Sequence, residues 1–227
     1  MRQCGARSRP RECERRTVSG DPVRSPVDGG VIARLFERRV PPVLDFADHA
    51  DDVAAACHAM AIRFHRGGQL VVFGTGSSST DAQHVAVEFV HPVIVGKRAL
   101  PAISLTSDAA TLTGVAASAG MPQMFAHQIR LLGEPTDIAM GISGDPHCET
   151  VLEGLIAARQ LGMLTIGLVG GDGGVFAASR AVDHLLVARS ADPRVVKELQ
   201  VTAYHILWEL VHVFFEQPGV LTQGAGT

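Results

Sequence analysis

The segment Leu70–Glu88, LVVFGTGSSSTDAQHVAVE, constrains the fold more than any other stretch of this chain. An apolar strand runs into a loop of small residues, and that loop runs into a helix. The same grammar recurs downstream. Strand 70–73 is followed by helix 80–90. Residues 101–105 read as a second strand and 109–117 as a short helix. Helix 121–132 precedes strand 137–142, and helix 149–161 precedes strand 163–168. A glycine loop (Gly170, Gly171, Gly173, Gly174), a short helix near 174–180 and strand 183–188 follow, and a long helix fills 192–215. Strand–helix alternation of this kind predicts an α/β fold, a parallel sheet covered by helices on both faces. Ligands of such sheets sit beyond the C-terminal ends of the strands.

Upstream of this core the pattern is helical. Ile32, Leu35 and Phe36, then Val53, Ala56, Met60, Ile62 and Phe64, recur at helical spacing, and Gly67-Gly68 stops the run. Residues 1–30 are rich in Arg, Pro, Gly and Ser and poor in large apolar groups, so a disordered extension is expected there. The domain is expected over 31–217, with a flexible tail over 218–227.

The loop after the first strand carries the clearest chemistry. Gly74 and Gly76 let the backbone approach a ligand, and Thr75, Ser77, Ser78, Ser79 and Thr80 offer hydroxyls. The helix that follows begins with N–H groups and a positive dipole end, which suits an anion such as a phosphate. A Ser/Gly loop is also often a plain turn. His84 and Glu88 are four residues apart and share one helix face. They form an acid/base or metal-binding pair one or two turns from the anion site. Chemistry on a phosphorylated small molecule is the expectation.

Composition narrows the class. The chain has 227 residues, 46% of them hydrophobic, ample for one domain with a substantial core. A net charge of −3 gives no electrostatic case for nucleic acid or an anionic membrane. No apolar run approaches the roughly 20 residues that span a bilayer. The first 16 residues lack the apolar core of a secretory signal. Cys4, Cys13, Cys57 and Cys148 are scattered, as expected for reduced thiols in a cytoplasmic protein.

Five ordered segments resemble one family: GTGSSSTDAQHVAVEF, LPAISLTSDAATLTGVA, DIAMGIS, GLVGGDGG and ELQVTAYHILWELV. Together, over about residues 45–215, they resemble the sugar isomerase (SIS) domain, and within it the sedoheptulose 7-phosphate, or phosphoheptose, isomerases. The resemblance implies a flavodoxin-like three-layer sandwich with a five-stranded parallel sheet. It implies a homotetramer with active sites between subunits. It also implies aldose–ketose isomerisation of a sugar phosphate, from sedoheptulose 7-phosphate to glycero-manno-heptose 7-phosphate, through an enediol. The residues matching the acid/base pair are Glu88 and His205. Several members hold zinc through four groups, and the matching positions here are His84, Glu88, Lys197 and His205. Asp108 matches an acidic residue of the substrate site, although an N-cap role serves it equally well.

The chain departs from that pattern in places. An amine is a poor zinc ligand unless deprotonated, so His84, Glu88 and His205 are left as a three-ligand open site. Lys197 then contacts substrate in place of a metal, points to solvent, or pairs with a carboxylate. After DIAMGI the family has a hydroxyl-rich phosphate loop, whereas this chain reads Ser143-Gly144-Asp145-Pro146-His147-Cys148. Ser143 is kept, but Asp145 repels a phosphate and Pro146 removes a donor. After the position of Asp108 the family has an Asn-Asp pair, which is Ala117-Ser118 here. Thr75, Ser77, Ser78, Ser79, Asp108, Ser143 and Lys197 are therefore the expected substrate contacts. The alternatives to the heptose phosphate reading are a non-catalytic sugar-phosphate-binding SIS protein and an isomerase of a related sugar phosphate. The GTGSSS loop lacks the third glycine of the dinucleotide fingerprint, which argues against a dinucleotide enzyme.

Overall fold

The computed structural model describes residues 28–217 and Leu221. Most of the expected N-terminal extension, and the expected tail apart from Leu221, lie outside the described residues. Helix α1 (Gly29–Glu37) belongs to a unit separate from the domain that begins at Glu37. It starts two residues before the expected boundary at Val31.

The domain opens with α2 (Val40–Ala47) and α3 (Ala50–His65), the expected helical region broken at Asp48-His49. Five strands follow: β1 (Leu70–Gly74), β2 (Ala102–Ser104), β3 (Ile138–Ser143), β4 (Leu164–Gly170) and β5 (His184–Ala188). Between and after them lie α4 (Ser77–Val90), α5 (Ala109–Ala119), α6 (Gln123–Leu132), α7 (Glu149–Gln160), α8 (Gly174–Ala177) and α9 (Pro193–Glu216). The strands form one all-parallel sheet in the order β2-β1-β3-β4-β5. The expected α/β fold, with its five-stranded flavodoxin-like sheet, is the one observed.

The alternation of strand side chains divides the core in two. Leu70 and Val72 of β1, Ile138, Met140 and Ile142 of β3, and Ile166 and Leu168 of β4 face α3, α4 and α9. Val71, Phe73 and Ala139 face the other way, against α6 and α7. On that second side, small residues set the spacing. A Cβ on Gly154 of α7 would come within 2.6 Å of the Phe73 ring, so glycine is what lets α7 lie close to β1. The last helix buries one broad face, with Leu199, Leu207, Trp208 and Val211 in the first core, and leaves Ile206 and Val213 exposed on the other.

Helix starts are set locally. Asp192 caps α9 by accepting from the Arg194 amide at 3.0 Å, with Pro193 in the first turn. Asp108 caps α5, accepting from the Ala110 and Thr111 amides at 2.9 and 3.2 Å. By contrast, α4 has no side-chain cap. Its N-cap is Gly76, with φ of +57°, and a Cβ there would meet no atom within 4 Å. The start of α4 is thus uncapped and open around Gly76. The strand order reverses between β1 and β3, the position at which ligands of such sheets bind. The loops after those two strands meet there, with Thr75 Oγ1 3.5 Å from Cys148 Sγ.

Candidate active site

Helix α4 carries His84 and Glu88 on one face, with His84 Nε2 3.2 Å from Glu88 Oε1. His205 projects from α9 toward the same point, its ring 5.3 Å from that of His84 and nearly perpendicular to it. One ligand atom from each of His84, Glu88 and His205 falls within 4.8 Å of the others. The spacing that made His84 and Glu88 neighbours was readable in the sequence. The approach of His205, 117 residues after Glu88, is the work of the tertiary fold. His84 and Glu88 are half-buried and His205 is exposed, so the cluster opens to solvent on the α9 side.

Lys197 does not join this cluster as a ligand. Its Nζ donates to Ser77 O at 2.7 Å, to Asp81 Oδ2 at 2.6 Å and to Thr80 Oγ1 at 3.4 Å. Three donors thus meet three oxygens, the pattern of an ammonium, which has no lone pair for a metal. Of the three roles expected of Lys197, pairing with a carboxylate is the one seen. The carboxylate is Asp81, which is buried. The remaining imidazole–carboxylate–imidazole set fits a divalent metal such as zinc with an open coordination position.

A stripe of α9 ties the site together. Lys197, Gln200, Tyr204 and Trp208 follow one another at spacings of three, four and four, along one helix face. Each reaches a different part of the site. Lys197 holds the first turn of α4. Gln200, fully buried, donates to Ser143 O at 2.8 Å and Leu168 O at 3.1 Å, at the ends of β3 and β4. Tyr204 places its hydroxyl 2.8 Å from His84 Nδ1. Trp208 Nε1 donates to the Glu88 carbonyl at 2.9 Å. Asp81, Gln200, Tyr204 and Trp208 did not emerge from the sequence as site residues. The 3-4-4 spacing of polar groups on a buried helix was the signal that could have found them.

The expected substrate contacts are placed unevenly. In the glycine loop Thr75 is half-buried and Ser77 exposed, while Ser78 is buried. Ser79 Oγ donates to Gly76 O and Thr80 Oγ1 to Ser77 O, both at 2.7 Å, so these hydroxyls partly close the helix turn on itself. Ser143 is buried, and its hydroxyl both donates to Asp145 O and accepts from the Asp145 amide. Asp145 in turn accepts from the His147 amide at 2.9 Å. The loop therefore folds around its own acidic residue. Asp108, as an N-cap, also accepts from Thr111 Oγ1 at 2.6 Å, and these hydrogen bonds hold its carboxyl below the usual range. It borders a surface cavity with Ser104, Thr111 and His127, which His84, Glu88 and His205 do not line.

Residues 40–170 match the model of the SIS domain family. The chain belongs to the SIS domain family. A phosphoheptose isomerase of Solidesulfovibrio magneticus is 38% identical over 172 residues, which is 75% of this chain and 83% of that one. The structure of a phosphoheptose isomerase from Francisella tularensis superposes with a TM-score of 0.75 at 30% identity, covering 81% of this chain and 97% of the other. That of the phosphoheptose isomerase from Neisseria gonorrhoeae gives a TM-score of 0.73 at 26% identity, covering 80% and 97%. The SIS resemblance read from five sequence segments is borne out over most of the domain.

Proposed function

We propose that this SIS protein is a phosphoheptose isomerase, an enzyme that converts sedoheptulose 7-phosphate to glycero-manno-heptose 7-phosphate. The observation that carries the reading is the convergence of His84 and Glu88, on the helix that follows the glycine loop, with His205 of α9, their ligand atoms within 4.8 Å of one another. Chains of 38% identity that bear the name phosphoheptose isomerase support the substrate class.

In this reading the phosphate lies over Thr75, Ser77, Ser78 and Ser79, against the uncapped start of α4. Glu88 and His205 form the acid/base pair. One takes the proton from the carbon next to the carbonyl and returns it to the neighbouring carbon. The other moves the oxygen-borne proton, so the enediol is never left with two charges. Zinc would be held by His84, Glu88 and His205, and when bound it would supply positive charge for the substrate oxygens. Lys197 keeps the phosphate loop in place, and Asp108 and Ser143 support the loops from behind. No helix among the described residues is long and apolar enough to cross a membrane, and the protein is proposed to act in the cytoplasm as a homotetramer. The exposed Val87 and Val90 of α4 and Ile206 and Val213 of α9 are apolar surface that subunit contacts would cover.

A coupled turnover assay with sedoheptulose 7-phosphate tests this, on the wild type, Glu88→Gln and His205→Ala, each with and without added zinc. Turnover that collapses in both variants establishes the reading. A second reading, a sugar-phosphate-binding protein without turnover, is favoured by one feature, the Asp145-Pro146 loop where hydroxyls are expected. Saturable binding of the sugar phosphate with no product under any condition would select it.

A further inference from the structure

The proton on the imidazole of His84 is fixed by a neighbour from another helix. Glu88, when ionised, offers only lone pairs, so its contact with His84 Nε2 at 3.2 Å is attractive only if that nitrogen carries hydrogen. A neutral imidazole has one N–H, which leaves Nδ1 with a lone pair. The group facing Nδ1, at 2.8 Å, is the Tyr204 hydroxyl. Tyr204 is buried, with 2% of its surface exposed, and its ring meets that of His84 edge-on at 87°. A phenol carries its proton at neutral pH, so the hydroxyl has a hydrogen to offer Nδ1. The chain Tyr204 O–H to His84 Nδ1, then His84 Nε2–H to Glu88 Oε1, is the arrangement in which every donor meets an acceptor.

We propose that Tyr204 is a positioning residue that sets the tautomer and orientation of His84, and through it the Glu88 carboxylate. This rests on the isomerase reading of the same site. The hydroxyl holds one oxygen of Glu88 against His84 and leaves the other for substrate. A hydroxyl can also turn from donor to acceptor. Were Nε2 to hold a metal, Nδ1 would carry the hydrogen and the Tyr204 hydroxyl would accept a hydrogen bond from it. Phenylalanine would fill the same space and serve neither state.

The test reads the histidine directly. The full chain is labelled with ¹⁵N-histidine and studied free of metal, at a pH well above the ordinary histidine value. The His84 signals are assigned by their loss in His84→Gln. The expected wild-type pattern is protonated Nε2 and bare Nδ1. A wild type with the proton on Nδ1 overturns the proposal, whatever its activity. In Tyr204→Phe the expected results are a mixed tautomer, zinc affinity lower by about 10- to 100-fold, and kcat lower by about the same factor with KM little changed. An unchanged tautomer and unchanged zinc affinity in a folded Tyr204→Phe also overturn it. Because the nitrogen shifts need no substrate, failure of this proposal and failure of the isomerase reading are separate results.

Discussion

Lys197 and Asp81 form an ion pair at 2.6 Å that joins the second turns of α9 and α4. Asp81 is almost fully buried and the lysine side chain is about a third exposed, at 34%. The pair thus lies between the surface case, where ion pairs contribute little, and the buried case, where losing one partner is costly. Lys197→Met should destabilise the domain by about 2 kcal/mol, by leaving Asp81 buried without its cation. Asp81→Asn should cost less, since a neutral amide is cheaper to bury. Urea unfolding of both single variants and the double variant measures the coupling. Additive effects would show that the pair is not a link between the helices.

Lys197→Gln separates the lysine's packing from its charge. Glutamine offers a carbonyl oxygen at the position matching the family's fourth zinc group, and cannot pair with Asp81 as an ion. The variant is expected to bind zinc more tightly than the wild type and to unfold more readily when zinc is removed by a chelator. Metal analysis after dialysis, with thermal melts on either side of chelation, checks both. Equal zinc affinity in the two proteins would mean that position 197 lies outside the metal's reach.

The start of α9 should be acid-sensitive. Asp192 is held at about 2, first by its hydrogen bond with Arg194 and then by the charges of Arg194 and Arg38, below the ordinary 3.8. Its folded value is depressed, so its contribution to stability is fully present above the ordinary value. That contribution is lost as pH falls from 3.8 through about 2. Asp192→Asn should be less stable than the wild type at neutral pH, and the gap should shrink across that acid window. Parallel unfolding curves at several pH values test it, and a gap that does not depend on pH would assign the aspartate's role to capping alone.

The sheet and helices were readable in the sequence because strand hydrophobicity and helix period report burial directly. Every strand came within two residues of its observed span. The site was readable only where its geometry is local, as for His84 and Glu88 on one helix face. Lys197 shows what periodicity omits. The pattern places it at the start of α9, but its partner is chosen by how α9 crosses α4. Ser143 shows a second limit. A small hydroxyl next to a turn can bond its own backbone as readily as a ligand, and here it does. Asp108 is the same competition settled for the helix cap. Tyr204 was passed over because an aromatic residue on an apolar helix reads as core, which it also is.

Cys57 and Cys148 should separate chemically. Cys57 is buried in α3 against α9, its Sγ 3.9 Å from the Leu207 carbonyl, and burial pushes its thiol up to about 12. The thiolate is the reactive form, so Cys57 should resist alkylation in the folded protein at neutral pH. Cys148, half-buried beside Thr75, should label. Peptide mass spectrometry with and without denaturant distinguishes them, and native labelling of Cys57 would mean that α3 opens from α9 on the timescale of the reagent.

Gly74 and Gly76 stand two residues apart in the same loop and should fail differently when a methyl group is added. At Gly74 a Cβ would lie 2.7 Å from the Ile142 carbonyl oxygen and 2.9 Å from the Ser78 Cβ, so β3 or the first turn of α4 must shift. Gly74→Ala should cost about 2–3 kcal/mol, at the upper end of overpacking, because backbone is in the way. At Gly76 the space is open, and the penalty is that of the backbone itself, φ +57° with ψ −127°, a conformation that glycine adopts and L-residues rarely do. Gly76→Ala should cost about 1–3 kcal/mol. Function should separate them further. The shift at Gly74 moves the loop as a body and should raise KM for the sugar phosphate together with lowering kcat. Gly76→Ala places its methyl group where the ligand approaches, and should raise KM with kcat nearly unchanged. Steady-state kinetics on the two variants, with urea unfolding to confirm that each is folded, decides it. Equal effects on kcat in both would mean that the opening at Gly76 does not face the substrate.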